Sequence, residues 1–390
     1  MTAPKLRFKE FTLDWSTVSL GSLFTKRRDK GVDNVPTYSV TLNDGIINRE
    51  DLERETTTNL SAKEHLLVKK NDLAYNMMRM WQGALGLAPT DGIVSPAYVV
   101  LKPNEQKTDS SFFEYYFKRN RQIHNFWAYS QGLTEDRLRL YFDDFKVIRI
   151  NAPSKEEQTK IATFLTAVDE KISQLSQKLH LLGQYKQGMM QKLFSQQIRF
   201  KADDGSEFGE WGEQKLGEVS TTFSGGTPQS TNKDFYQGTI PFIKSGEISQ
   251  KTTEQFINEI ALKSSSAKLV QKGDLLYALY GATSGQVAIS QIDGAINQAI
   301  LCIRSNLNTL YLLNFFLLKK DSILSTYLQG GQGNLSAAIL KEILVPIPCL
   351  EEQTKIANFL SSIDQKIDVV SEQLEQAKLW KKGLLQQMFV

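Results

Sequence analysis

Two stretches of the chain carry apolar residues at alternating steps of three and four. In the first, Leu165, Val168, Ile172, Leu175, Leu179 and Leu182 form the stripe, and the same steps continue through Lys186, Met189 and Leu193. In the second, the stripe is Leu360, Ile363, Ile367, Val370, Leu374, Ala377, Lys381, Leu384 and Met388. A seam sustained over about four heptads predicts a coiled coil. Each helix would run roughly 40 residues, about 60 Å at 1.5 Å per residue. Pro153 precedes the first helix, and Ser154 with Glu157 makes a capping box. Pro348 precedes the second, but Cys349 replaces the capping serine, so this helix should begin less firmly. Each helix could instead lie on its own module, but the narrow heptad stripe favours mutual pairing. The chain must return across a whole module between them, which favours an antiparallel pair. Lys186 and Lys381 share one seam position. They either fix register or snorkel at a frayed end beside Gly188 and Gly383.

The two stretches are copies. Glu156-Glu157-Gln158-Thr159-Lys160-Ile161-Ala162 recurs as Glu351-Glu352-Gln353-Thr354-Lys355-Ile356-Ala357, and 156–194 against 351–389 gives 18 identities in 39 positions without a gap. A fainter repeat opens each half. Leu6-Arg7-Phe8-Lys9 answers to Ile198-Arg199-Phe200-Lys201, and Trp15 with Leu20-Gly21 answers to Trp211 with Leu216-Gly217. Between these bookends only scraps align, such as Lys70-Asn71-Asp72-Leu73 with Lys272-Gly273-Asp274-Leu275. The plan is a module (1–153), a helix (154–197), a second module (198–348) and a second helix (349–390). Within the modules, short apolar runs such as Tyr98-Val99-Val100-Leu101 and Ala299-Ile300-Leu301-Cys302-Ile303 alternate with Gly/Asn/Asp turns. Residues 112–126 and 310–324 read as short amphipathic helices. The fold class is α+β: two globular modules joined by two long antiparallel coiled-coil helices, with an internal pseudo-two-fold repeat.

Composition narrows the function. Two cysteines in 390 residues exclude a disulfide scaffold and fit a reducing cytoplasm. No apolar run reaches the ~18 residues of a membrane span, and the N-terminus has no apolar core of a secretory signal. A net charge of +3 excludes a histone-like polycation. Arginine is unevenly shared, with 11 in residues 1–153 and 2 in residues 198–348. Chemical motifs are scarce: there is no P-loop, no dinucleotide fingerprint and no Asn-Pro-Pro-aromatic run. His65, His124 and His180 lie far apart, and none pairs with a cysteine at metal spacing. Asp91 with Glu105-Gln106-Lys107 loosely resembles a metal-dependent nuclease pattern. Asp91 sits in a Thr-Asp-Gly turn with no counterpart in the second module, and reads as a solvated loop.

Surface chemistry remains. In the first module the candidates for DNA contact are Lys26, Arg27, Arg28, Asn76, Arg79, Trp81, Gln82, Tyr98, Gln131, Thr134, Arg137 and Arg139. In the second they are Ser224, Gly225, Gly226, Thr227, Lys244, Tyr280, Thr283, Ser284, Gln286, Gln298, Gln332 and Asn334. Arginine reads guanine edges bidentately, and Asn or Gln reads adenine. Lysine and backbone N–H groups, including those of the Ser224-Gly225-Gly226-Thr227-Pro228 loop, hold phosphate and set register. For any one cluster taken alone, a solvated face or a plain turn is the stronger reading. Two divergent polar modules on one repeated frame favour recognition.

The layout resembles the specificity subunit of a type I restriction-modification system. The resemblance covers the whole chain. It rests on two modules each followed by a helix opening Glu-Glu-Gln-Thr-Lys-Ile-Ala, on the Trp…Leu-Gly starts, and on the Ser-Gly-Gly-Thr-Pro loop at 224–228. The first module departs from it, with Phe24-Thr25-Lys26-Arg27-Arg28 where that loop would stand. The resemblance implies a non-catalytic, DNA-reading chain. Double-stranded DNA with a bipartite target is read one half-site per module, across a fixed spacer, and methylation falls on adenine N6. Two methyltransferase subunits clamp it and two restriction subunits can join. S-adenosylmethionine, ATP and Mg belong to those partners and no cofactor to this chain. The helix pair then acts as a ruler: four residues added to both helices would widen the spacer by ~6 Å, close to two base pairs. The arginine count suggests that the first module reads guanine more than the second. The alternatives are a coiled-coil adaptor with two ligand-binding modules, and a nuclease built on Asp91, Glu105 and Lys107.

Overall fold

The computed structural model describes residues 4–52, 60–327 and 335–389. It divides into two compact units. One comprises Met1–Leu175 with Gln373–Val390, and the other Ser176–Glu372. Each unit therefore holds one module, the beginning of one long helix and the end of the other.

In the first unit, Ser16–Ser19 pairs antiparallel with Arg149–Ala152 and closes the module where the chain enters and leaves it. Between them stand two four-stranded sheets. One runs in the order Phe24–Arg27, Tyr98–Pro103, Leu73–Asn76, Leu85–Leu87. The other runs Ile46–Asn48, Thr37–Val40, Gly92–Val94, Leu66–Val68, with a single parallel pair between Thr37–Val40 and Gly92–Val94. The two-residue period of a strand divides the first sheet's side chains between two cores. Ala74 and Val100 face the second sheet and pack with Tyr38, Val40, Val68 and Val94. Leu73, Tyr75, Val99 and Leu101 face a helical layer rich in Phe112, Phe113, Tyr116, Phe117, Phe126 and Phe145. The result is three layers: sheet, sheet and helices.

The second unit repeats this plan. Gly212–Lys215 pairs with Leu344–Ile347. Leu276, Ala278, Ile300 and Cys302 face the second sheet, while Leu275, Tyr277, Leu301 and Ile303 face Leu312, Phe315 and Phe316. Five strands recur at a fixed shift. Leu66–Val68, Leu73–Asn76, Leu85–Leu87, Gly92–Val94 and Tyr98–Pro103 answer to Lys268–Val270, Leu275–Ala278, Val287–Ile289, Gly294–Ile296 and Ile300–Ser305, so that 66 becomes 268 and 98 becomes 300. Turns follow the strands: Lys70 N donates to Asp91 Oδ1 at 2.8 Å, and Lys272 N to Asp293 Oδ1 at 2.7 Å. Asp91 therefore has a counterpart, Asp293, contrary to the sequence reading, and its carboxylate closes a turn. The predicted helix at 112–126 is two, Ser110–Phe117 and Asn120–Ala128, because Arg119 adopts an extended backbone between them. Its equivalent in the second unit, Thr309–Tyr327, is unbroken.

The long helices span Lys155–Phe194 and Leu350–Gln387. In the first unit Leu165 and Val168 share a core with Leu384 and Met388. In the second, Met190 and Leu193 share one with Ile356, Leu360 and Ile363. Asp169 pairs with Lys381 in the first unit, and Asp364 accepts from Lys186 at 2.6 and 2.8 Å in the second. As the number rises on one helix it falls on the other, which is the antiparallel register. The seam lysines thus make cross-helix ion pairs rather than snorkelling. One expected feature is only half present. Ser154 Oγ accepts from Glu157 N at 3.4 Å, but the Glu157 carboxylate turns into the protein instead of back to the cap.

Candidate nucleic-acid interface

That carboxylate builds the base of each module. Arg7 donates from Nε and Nη2 to the two oxygens of Glu157 at 2.7 and 2.6 Å, and Trp15 Nε1 donates to Oε1 at 3.3 Å. The second unit repeats the triad with Arg199, Trp211 and Glu352, at 3.1, 2.9 and 2.8 Å. Each glutamate raises its arginine's pKa, chiefly through the side-chain hydrogen bond. The next residue, Gln158, accepts from Asp109 N and donates to the Lys107 and Pro153 carbonyls, while Gln353 accepts from Asn308 N and donates to Pro348 O. The repeated Glu-Glu-Gln run thus locks the module to its helix. Arg7, Trp15, Glu157 and Gln158 are legible in the sequence as repeat identities with Arg199, Trp211, Glu352 and Gln353, but their contacts are not. The signal available was that Arg, Trp and Glu recur together in both halves.

On that base, the first module brings many candidates together. Asn76 ends a central strand, opposite Tyr98 in register. The following turn carries Arg79, Trp81 and Gln82: Arg79 Nη1 donates to Gln82 Oε1 at 3.1 Å and Trp81 Nε1 to Met78 O at 2.9 Å. Gly83, with φ +95, ends the turn where a side chain would be strained. Leu140 N donates to Met77 O at 3.0 Å. This bond brings up the segment in which Gln131 and Arg139 form a β-bridge and Thr134 and Arg137 stand exposed. Gln131 Nε2 also donates to Asp144 Oδ1 at 2.7 Å. Lys26 and Arg28 are exposed; Lys146 holds the Asp143 carboxyl below its ordinary range, and Lys26 and Arg28 add to that more weakly. Arg27 is different: its guanidinium is committed to Asp72 at 2.5 and 3.1 Å and to Asp29 at 2.9 Å. Exposed Trp127 and Tyr129, with His124 stacked on Trp127 at 5.6 Å, were not foreseen.

The second module builds the same joint from other residues. Leu335 N donates to Leu279 O at 3.1 Å, the counterpart of the Leu140–Met77 bond. The turn holds Tyr280, Thr283, Ser284 and Gln286, with Gly281 and Gly285 at φ +86 and +79. Ser284 Oγ donates to Leu279 O at 3.0 Å. Thr227 Oγ1 donates to Gln298 Oε1 at 2.6 Å, so two candidates far apart in the chain meet. Lys244 N donates to Glu247. In the Ser224–Pro228 loop the Gly226 N–H is committed to Ile296 O at 3.3 Å and is not available to a phosphate. A Cβ on Gly225 would stand 1.8 Å from Ile296 O, so close packing is what requires this glycine. Gln332 and Asn334 lie outside the described residues. An ion pair recurs in altered form: Arg304 forks onto Asp274 at 2.9 and 2.6 Å, as Arg27 does onto Asp72. Burial would raise the Asp274 pKa, but Arg304 and the Gln271 N–H outweigh it and hold it low.

Among the described residues no group of three or more His, Cys, Asp or Glu could hold a metal ion. Asp91 closes its turn, while Glu105 and Lys107 lie where the chain docks on the first long helix through Lys155 and Gln158. No described helix is long and apolar enough to cross a membrane.

The arrangement, two copies of one frame with different polar turns, is that of a DNA specificity protein. The chain belongs to the family described as type I restriction modification DNA specificity domain, whose pattern matches residues 13–182 and 209–379. It is similar to the type I restriction enzyme MjaVIII specificity subunit of Methanocaldococcus jannaschii, 26% identical over 348 residues, 83% of this chain and 79% of the other. Its fold is similar to that of an S subunit from M. genitalium, with a TM-score of 0.63 and 17% identity, covering 100% of this chain and 99% of that one. It is also similar to the HsdS subunit from Thermoanaerobacter tengcongensis, at 0.51 and 19%, covering 100% and 99%.

Proposed function

We propose that this chain is the non-catalytic DNA-reading subunit of a type I restriction-modification enzyme, each module reading one half of a bipartite target. The observation that carries this reading is the joint at residues 77–83 and 279–285. The same backbone position presents Arg79, Trp81 and Gln82 in one module and Gly281, Thr283 and Ser284 in the other. A structural protein would have no reason to keep the frame and change only what it displays. Bases are told apart by such side chains at groove edges, whereas backbone contacts only position the protein. The helix pair sets the spacer and docks two methyltransferase subunits, which supply S-adenosylmethionine and the chemistry; restriction subunits supply ATP-driven cleavage.

The test is to move the second module's residues into the first as Arg79→Gly, Trp81→Thr and Gln82→Ser. Met80, fully buried, stays. With methyltransferase subunits present, one half-site should relax or change while the other half-site and the gap remain. Change in both halves, or in neither, would overturn the assignment of this turn to base reading.

A further inference from the structure

Outside the turns just described, the first unit holds a cleft of about 650 Å³ between the Ser110–Phe117 and Asn120–Ala128 helices and the last turns of the second long helix. Six cations line it: Lys118, Arg119, Arg121, Lys378, Lys381 and Lys382. Its acids are Glu114 and Asp169, and both are engaged. Glu114 pairs with Lys118 at 3.0 Å, while Asp169 takes Lys381 and a 2.7 Å bond from the Tyr115 hydroxyl. Lys378 pairs outward with Glu375. Arg119 stands over the Tyr116 and Phe389 rings, its Cζ 5.4 and 5.3 Å from their centroids, which helps fix its position. Among the described residues neither Arg121 nor Lys382 has a carboxylate partner, and both are exposed.

We infer that this cleft binds the phosphate backbone of duplex DNA alongside the half-site read by the first module. The inference rests on the DNA-reading function proposed above. Two observations favour phosphate over an acidic protein segment. The lining offers only Tyr115 and Leu385 as apolar anchors, whereas a protein partner's affinity concentrates in buried apolar and aromatic contacts. The helix bearing Arg121 also packs directly on Met80–Gln82, the turn assigned to base reading, so one rigid element places both. The second unit offers fewer cations at the equivalent place: by the helix repeat, Gly183 and Gln187 stand where Lys378 and Lys382 do, while Lys186 answers Lys381.

The test uses the full chain and a labelled 40-base-pair duplex of arbitrary sequence, since phosphate contacts do not depend on sequence. Binding is read by anisotropy across salt for wild type, Arg121→Glu with Lys382→Glu, and Lys171→Glu with Lys178→Glu as a control of equal charge change at exposed positions of the first long helix. Two lost phosphate contacts reduce the slope of log affinity on log salt by about 1.8, so the loss of affinity relative to wild type should change by about twelvefold between about 50 and about 200 mM salt. The control should keep the wild-type slope. Arg121→Lys with Lys382→Arg should retain most binding. A double variant no weaker than the control overturns the inference while leaving the function standing, and so does unchanged DNA binding with lost association to the methyltransferase subunits. Failure of the wild type to bind any duplex, alone or with those subunits, counts against the function itself.

Discussion

Glu157→Gln replaces one oxygen of a buried carboxylate by an amide and takes from Arg7 its hydrogen-bonded counter-charge, leaving only the weaker field of Asp14. The Glu157 side chain is 2% exposed and that of Arg7 14%. Removing one partner of a buried ion pair costs roughly 3–5 kcal/mol, because the remaining charge is left uncompensated. Arg7 keeps a hydrogen bond to Leu13 O and some access to water, which places the cost near the lower end, about 3 kcal/mol. At 1.4 kcal/mol per decade this is about a hundredfold in the local opening equilibrium. The two units unfold with no requirement to do so together, so a single melting curve is the wrong readout. Native-state hydrogen exchange is the right one. Amides of residues 4–19 and 155–170 should exchange about a hundredfold faster, while the equivalent amides around Arg199 and Glu352 keep their rates. Glu352→Gln should give the mirror result. Arg7→Met with Glu157→Leu should recover much of the loss, since an apolar pair of similar volume carries no desolvation cost. A change under about threefold in the single variant would refute the view that this triad fastens the module to its helix.

Three further outcomes follow. Phe389 lies 4% exposed among Phe112, Tyr116 and Arg119, so Phe389→Ala should cost about 3–5 kcal/mol, seen as faster exchange in the first unit alone. Gly225→Ala, facing a backbone oxygen at 1.8 Å, should displace the 224–228 loop and weaken recognition of the second half-site only, as read in the methylated sequence. The lowered pKa of Asp274 means that its pair with Arg304 stabilises above the ordinary carboxylate range and is lost as pH falls through the lowered value. Asp274→Asn should therefore speed hydrogen exchange in the second unit at neutral pH and leave that unit's protection less sensitive to acid than in the wild type.

The heptad seams and the repeat were legible because helix pairing constrains every third or fourth side chain and the copies had kept them. Leu165, Val168, Leu360 and Ile363 are buried where the periodicity placed them. The common frame of the modules was harder to read. A strand constrains only alternate side chains, and then only to an apolar class: Tyr75 and Tyr277 match, but Leu101 faces its core as Ile303 does, and outward residues are free. The aligned scrap at Lys70 and Lys272 carried the true register of five strands. Clusters such as Arg79, Trp81 and Gln82 were found because they are neighbours in sequence. Arg27 looked like its neighbours Lys26 and Arg28, and only the fold shows Asp72 beside it. The basic cleft was hidden because its cations come from segments more than 250 residues apart, Lys118 to Lys378.

The decisive measurement is the adenine methylome of a host carrying this chain with its methyltransferase subunits, compared with the same host lacking only this chain. If the chain reads a bipartite target, one split motif with a fixed gap disappears. Lengthening both helices by one heptad, between Asp169 and Lys186 and between Asp364 and Lys381, should widen that gap by about three base pairs at 1.5 Å per residue and leave both halves intact. A methylome unchanged by loss of the chain, or a motif with no gap, would contradict that reading.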